Sequence, residues 1–192
     1  MVDPVHLALE TRPGLPDALR VLLEDYPRKA WRSDPGFSDL IRFWMERHLM
    51  FRRLLEVVDG EAEDTLDGKM DKQVFAAHLT RYTSFFIQEL HAHHTIEDHH
   101  YFPKLKAMDT RISAGFDLLD KDHQDIDGHL HGFGEDANAV LAAIAGAEDH
   151  RARLEAFQTR LTRTTRLLDR HLTDEEELVV PVLLKHAPSG LV

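Results

Sequence analysis

The chain has no cysteine among its 192 residues. That excludes disulfides, thiolate nucleophiles, zinc fingers and iron–sulfur clusters, and leaves His, Asp and Glu as the strong metal ligands. Bases are scarce beside acids, 23 against 34, for a net charge of −11. Nucleic acid and anionic membrane surfaces are therefore not expected partners. No apolar run approaches the length of a membrane span, Val140–Ala145 being among the longest. The opening Met1-Val2-Asp3-Pro4 lacks the basic and apolar stretches of a secretion signal, so a cytoplasmic location is expected. Sustained period-two alternation beside turn residues is also missing, so no sheet is expected. Histidine is the exception to this scarcity: there are fourteen.

Helical periodicity dominates from residue 36 onward. A first helix is expected from about Phe37 to Val58, with apolar steps at Ile41, Trp44, Phe51, Leu55 and Val58. Asp59-Gly60 would end it, and the acidic Glu61–Gly68 would be a loop. A second helix runs from about Lys69 past Phe102. A third, capped by Asp109-Thr110, runs from Arg111 to about Ala145, with Gly128, Gly132 and Gly134 loosening or kinking it. After Gly146-Ala147, a fourth runs from about Glu148 to His186. The expected architecture is all-α, an up-down-up-down four-helix bundle over residues 36–187. Residues 1–35 read as an irregular leader with a short amphipathic helix at Leu15–Tyr26, and 188–192 as a frayed tail.

The informative feature is where polar residues interrupt the apolar seams. His48, His93, Glu97, His123, His171 and Glu175 all take core slots. His93-x-x-x-Glu97 and His171-x-x-x-Glu175 share a spacing that stacks both side chains on one helix face. Each glutamate is followed six positions later by proline, Pro103 or Pro181. His48 precedes His93 by 45 residues and His123 precedes His171 by 48, so similar hairpins bring all six side chains to one level. Buried carboxylates cost several kcal/mol unless paired or metal-bound. Two cations solve that problem, with the glutamates bridging them and neutral imidazoles capping each. Oxygen and nitrogen donors without sulfur favour iron or manganese over zinc. Six ligands under-fill two octahedral ions, leaving room for a bridging oxo or hydroxo group and a small exogenous ligand.

The stretch His93–Pro103, with His-His-x-x-Glu-Asp-x-x-Tyr-Phe-Pro, resembles the second-helix motif of the bacterial hemerythrin-like, or HHE cation-binding, domains. Arg47–Leu55 is similar to their first-helix histidine motif, and Asp122-His123 and His171–Glu176 to the third and fourth. The resemblance covers roughly residues 36–186. It implies a non-haem di-iron centre that binds dioxygen or a related small molecule such as nitric oxide or peroxide. Members of the family are also linked to nitric oxide handling, iron–sulfur repair and sensing. By position, His48, His93, Glu97, His123, His171 and Glu175 inherit the ligand role. Two departures stand out against the oxygen-carrying hemerythrins. Asp127 stands four after His123, where those proteins have a second histidine. Glu175 stands four after His171 rather than five, with Glu176 at the fifth position.

The site therefore starts one histidine short, with Asp127, Glu176 and His100 as neighbours or extra ligands. His100 shares the inner face with Glu97 in an α-helical register, giving a Glu-x-x-His spacing; Leu178 breaks that spacing in the fourth helix. His94 and His99 fall off the seam and read as peripheral, as do His78, His91, His129 and His131. Trp44 reads as core. Pro103 and Pro181 should bend or end their helices. Two functions share this first shell: a small-molecule-binding di-iron protein, and an oxidoreductase or iron donor using the same centre. A metal-free interaction bundle is the third reading. The role of Leu15–Tyr26 stays open between a packing cap, a homodimer contact and a partner site.

Overall fold

The computed structural model of the chain describes residues 7–146 and 149–186. The leader around Pro4, the Ala147–Glu148 junction and the tail at Pro188 and Gly190 lie outside the described residues. The architecture is an all-α helical bundle, and no strand occurs among the described residues. The long elements are α1 (Asp39–Leu66), α2 (Lys72–Ile96), α4 (Ser113–Ala145) and α5 (His150–His186), with a short α3 (Phe102–Met108) between. A π-turn, Glu97–Tyr101, joins α2 to α3.

Local chemistry sets most of the ends. Ser38 Oγ accepts from the Ile41 N–H at the start of α1, and Asp71 Oδ1 accepts from Gln73 and Val74 ahead of α2. Asp109 accepts from the Arg111 N–H, capping the 3₁₀ turn that leads into α4. Helix α1 overruns the stop expected at Asp59-Gly60 and ends instead before Gly68, at φ +73. A helical glycine costs only about 1 kcal/mol. The extra turns bury Ala62, and Thr65 and His78 donate hydrogen bonds to Glu61. The short helix expected at Leu15–Tyr26 is two 3₁₀ turns, Asp17–Leu19 and Val21–Leu23, followed by a third at Arg28–Ser33. Bounded by Pro16 and Pro27, the segment is too short to sustain an α-helix alone, and its tertiary anchors set its path.

Two compact units share the four long helices. One, with described residues 50–92 and 126–168, has an apolar core. Phe51, Phe86, Phe133 and Phe157, one from each long helix, meet in sequence with ring centroids 5.3–6.1 Å apart. The other, with described residues 7–49, 93–125 and 169–186, contains a core of Leu15, Leu22, Trp31, Ile41, Phe116 and Leu178 beside a buried polar layer. Helices α4 and α5 approach closely there at Gly115, where a Cβ would sit 2.7 Å from Leu178 Cδ1. Pro181 lies inside α5, which continues to His186 rather than ending.

Candidate metal centre

Five helical segments of the second unit each deliver histidine or glutamate to its interior. His48 comes from α1, His93 and His94 from the end of α2, Glu97 from the π-turn, His123 from α4, and His171 and Glu175 from α5. All are buried except His93, whose side chain is 10% exposed. The six residues expected from the sequence are thus brought together, and a seventh joins them. His94 is buried, its ring stacked on His123 at 3.9 Å between centroids. The sequence puts His93 in the core slot ahead of Glu97, which leaves His94 peripheral, but a seam through Phe86, Leu90, His94 and Glu97 serves as well. Steps of four, four and three through His94 are equally helical, and His93 and His94 straddle the seam.

The donors fall into two groups, His94, His123 and His171 in one, and His48, His93, Glu97 and Glu175 in the other. Within each group the ligand atoms lie within 4.8 Å of one another. The glutamates face both. Glu97 Oε1 lies 3.0 Å from His93 Nε2, and its Oε2 lies 3.6 Å from His123 Nε2. Glu175 Oε1 lies 3.3 Å from His48 Nε2, and its Oε2 lies 3.5 Å from His171 Nε2.

Carboxylates behind the rings fix which nitrogen points inward. His48 Nδ1 donates to Glu176 Oε1 at 3.0 Å, His123 Nδ1 to Asp98 Oδ1 at 2.7 Å, and His171 Nδ1 to Asp122 Oδ2 at 3.4 Å. Each Nε2 of these rings is left facing the donor groups. Trp44 Nε1 donates to Glu175 Oε1, so this residue, expected as core packing, also touches a donor. Glu176, expected as a neighbour or extra ligand, lies behind the His48 ring and accepts from its Nδ1. His100 does not share the inner face with Glu97; it is exposed and accepts from Lys104 Nζ. The π-turn inserts one residue, so Phe102 and Leu105 take the inner positions that follow Glu97, and His100 is rotated out. Asp127 lies in the apolar unit, exposed, 3.8 Å from His91. His99 is exposed, as expected.

Charge is distributed unevenly. Burial, and then the neighbouring Glu175 charge, hold Glu97 well above the usual carboxylate range. Burial would raise Glu175 as well, but His48 outweighs it and Glu175 is held low. His48 is likewise opposed by burial yet raised to about 9 by Glu175 and Glu176. Burial pushes His93 down to about 3, and burial with the adjacent His123 and His171 keeps His94 well below the ordinary imidazole value.

These donors fit a pair of cations. Among the described residues, both oxygens of Glu97, Oε2 of Glu175, both nitrogens of His94, and Nε2 of His123 and His171 are buried without a hydrogen-bond partner. So many orphaned lone pairs at one level are costly without a ligand. Two ligands about 2.1 Å from one ion, at a right angle, stand about 3.0 Å apart. The separations of 3.0 to 3.6 Å are close to that value.

A family model, the hemerythrin HHE cation binding domain, matches residues 39–183. The chain belongs to the hemerythrin HHE family. No curated protein and no solved structure matches it. As a hemerythrin-like domain the chain is a metal-cation-binding protein, and its His/Glu groups are where a cation has donors. No helix among the described residues is long and apolar enough to cross a membrane. The HHE match begins at residue 39, so the arginine-bearing segment before α1 lies outside it.

Proposed function

We propose that the chain is a non-haem di-iron protein that binds dioxygen, or a related small molecule such as nitric oxide or peroxide, for sensing, storage or stress response. One observation carries this reading: each glutamate directs one oxygen toward each of the two donor groups. That is the disposition of two carboxylates shared between two cations. His94, His123 and His171 would hold one ion and His48 and His93 the other, with Glu97 and Glu175 available to both. His94 replaces the histidine missing at Asp127. Nitrogen and oxygen donors without thiolate suit iron, with manganese or zinc as competitors. The His48 side offers fewer protein ligands, so a small molecule would find room on the ion held there. When bound, iron supplies the electrons that an incoming oxidant takes up. The chain's own residues orient the imidazoles and exclude water, and Glu176 holds the Nδ1 proton of His48.

Iron analysis together with the absorption spectrum of anaerobically purified protein, before and after oxygen, tests the reading. Two irons per chain and a stoichiometric, reversible oxygen adduct are expected. Fewer than two metals after careful reconstitution would sink it. Turnover with an added reductant would move the centre to oxidoreductase chemistry.

A further inference from the structure

The segment that precedes α1 reaches the carboxylates flanking the donor groups with three arginines. Arg12 is buried, its side chain fully so. It grips Asp122 with two nitrogens, one bond being 2.8 Å from Nη1 to Oδ1, and donates from Nε to Asp174 Oδ2 at 2.7 Å. Arg28 pairs with Glu176 and Arg20 with Glu177. Asp174 also accepts the Leu15 N–H at 3.2 Å and Arg170 at 2.5 Å. Buried Leu15, Leu22 and Trp31 anchor the segment in the same unit.

Two of these carboxylates also touch donor histidines. Asp122 receives His171 Nδ1 and Glu176 receives His48 Nδ1. Among the described residues, Glu177 pairs with Arg20 and has no such contact with a donor residue. A two-pronged guanidinium holds a carboxylate in one plane as well as neutralising it. An anchored carboxylate in turn fixes the tautomer and ring angle of the imidazole in front of it.

We infer that the segment before α1 is an arginine clamp on the metal centre, in which Arg12 and Arg28 are positioning residues that aim His171 and His48 through Asp122 and Glu176. The inference rests on the di-metal reading above, and it gives a role to residues outside the family match. Arg20 serves as an internal control, because it anchors the same segment through a carboxylate that orients no donor.

The test is chelator-competition titration of Fe(II) into full-length wild type, R12Q, R28Q and R20Q, with imidazole nitrogen NMR on the metal-free proteins. R12Q and R28Q should bind iron about 10- to 100-fold more weakly. R20Q should stay within about twofold of wild type. The Nδ1–H signal of His171 should be single in wild type and R20Q and divided between tautomers in R12Q. Arg28 is 44% exposed, so R28Q keeps the question decidable should R12Q not fold. A wild type that loads iron while R12Q and R28Q load as tightly, or while R20Q weakens as much as they do, overturns the clamp alone. A wild type that takes up no metal overturns the di-iron reading and the clamp together.

Discussion

His93–Pro103 and His171–Pro181 have the same skeleton, histidine, then glutamate four on, then proline six further. They fold differently. After His171–Glu175 the helix runs unbroken through Pro181 to His186. After His93 it opens into a π-turn at Glu97, and Pro103 falls in the first turn of a new helix, where its missing N–H costs nothing. The surroundings differ as well. Glu175 takes the Trp44 N–H and faces His48, and stays ionised; neither oxygen of Glu97 has a hydrogen bond, and Glu97 is driven toward its neutral form. Spacing therefore sets which atoms meet, and the neighbours set which of them carries charge.

The sharpest way to break that comparison is to neutralise each acid in turn. Glu175→Gln strips one of two counter-charges from buried His48 and should cost metal-free protein about 3 kcal/mol or more. Glu97→Gln removes a charge that burial and Glu175 already disfavour and should stay within about 1 kcal/mol. Urea unfolding of both variants measures this, and equal losses would refute the assigned charges. Both variants should lose metal.

A pH series sharpens the same point. His48 is raised from 6.5 to about 9, so its contribution to metal-free stability is fully present below pH 6.5. It is lost as pH rises through about 9, and amounts to on the order of 3 kcal/mol. The decline should be absent from Glu175→Gln if Glu175 is its main source. Metal loading at neutral pH should displace protons from the raised groups His48 and Glu97 into an indicator dye.

Smaller effects follow in the flanking residues. His94→Ala should reduce iron from two to about one per chain, because only one donor group contains it. Full retention of both ions would return His94 to the periphery. Pro181→Ala should stabilise by about 1 kcal/mol as α5 regains an interior backbone bond. Pro103→Ala should instead destabilise by about 0.5 kcal/mol through chain entropy alone. Thermal unfolding that shifted both in the same direction would erase the distinction between the two helices.

Much of this was legible from the chain. Periodicity located the four long helices; the paired His-x-x-x-Glu spacings picked out four of the seven residues now grouped, and the interrupted seams added His48 and His123. What escaped has a common physical origin. A π-turn depends on one extra residue being absorbed, which no hydrophobic period announces, so His100 was expected inside. His94 was hidden because adjacent residues can straddle a seam. Gly60 looked like a stop, yet the turns beyond it bury Ala62 and hold Glu61 to Thr65 and His78. Arg12 lies 110 residues from Asp122, in a segment with no regular period, and long-range ion pairs of this kind leave no local signature.

The π-turn has one further consequence, for insertions and deletions. Inner positions run from Glu97 to Phe102 and Leu105, each one residue later than an uninterrupted α-helix would place it. The turn thus stores a single surplus residue. Removing His99 or His100, both exposed, leaves α2 and α3 in phase, whereas removing one residue elsewhere in α2 rotates its inner face by about 100°. The crowded histidine run is therefore the place in this helix where the chain can shorten by one residue and keep its metal donors aimed.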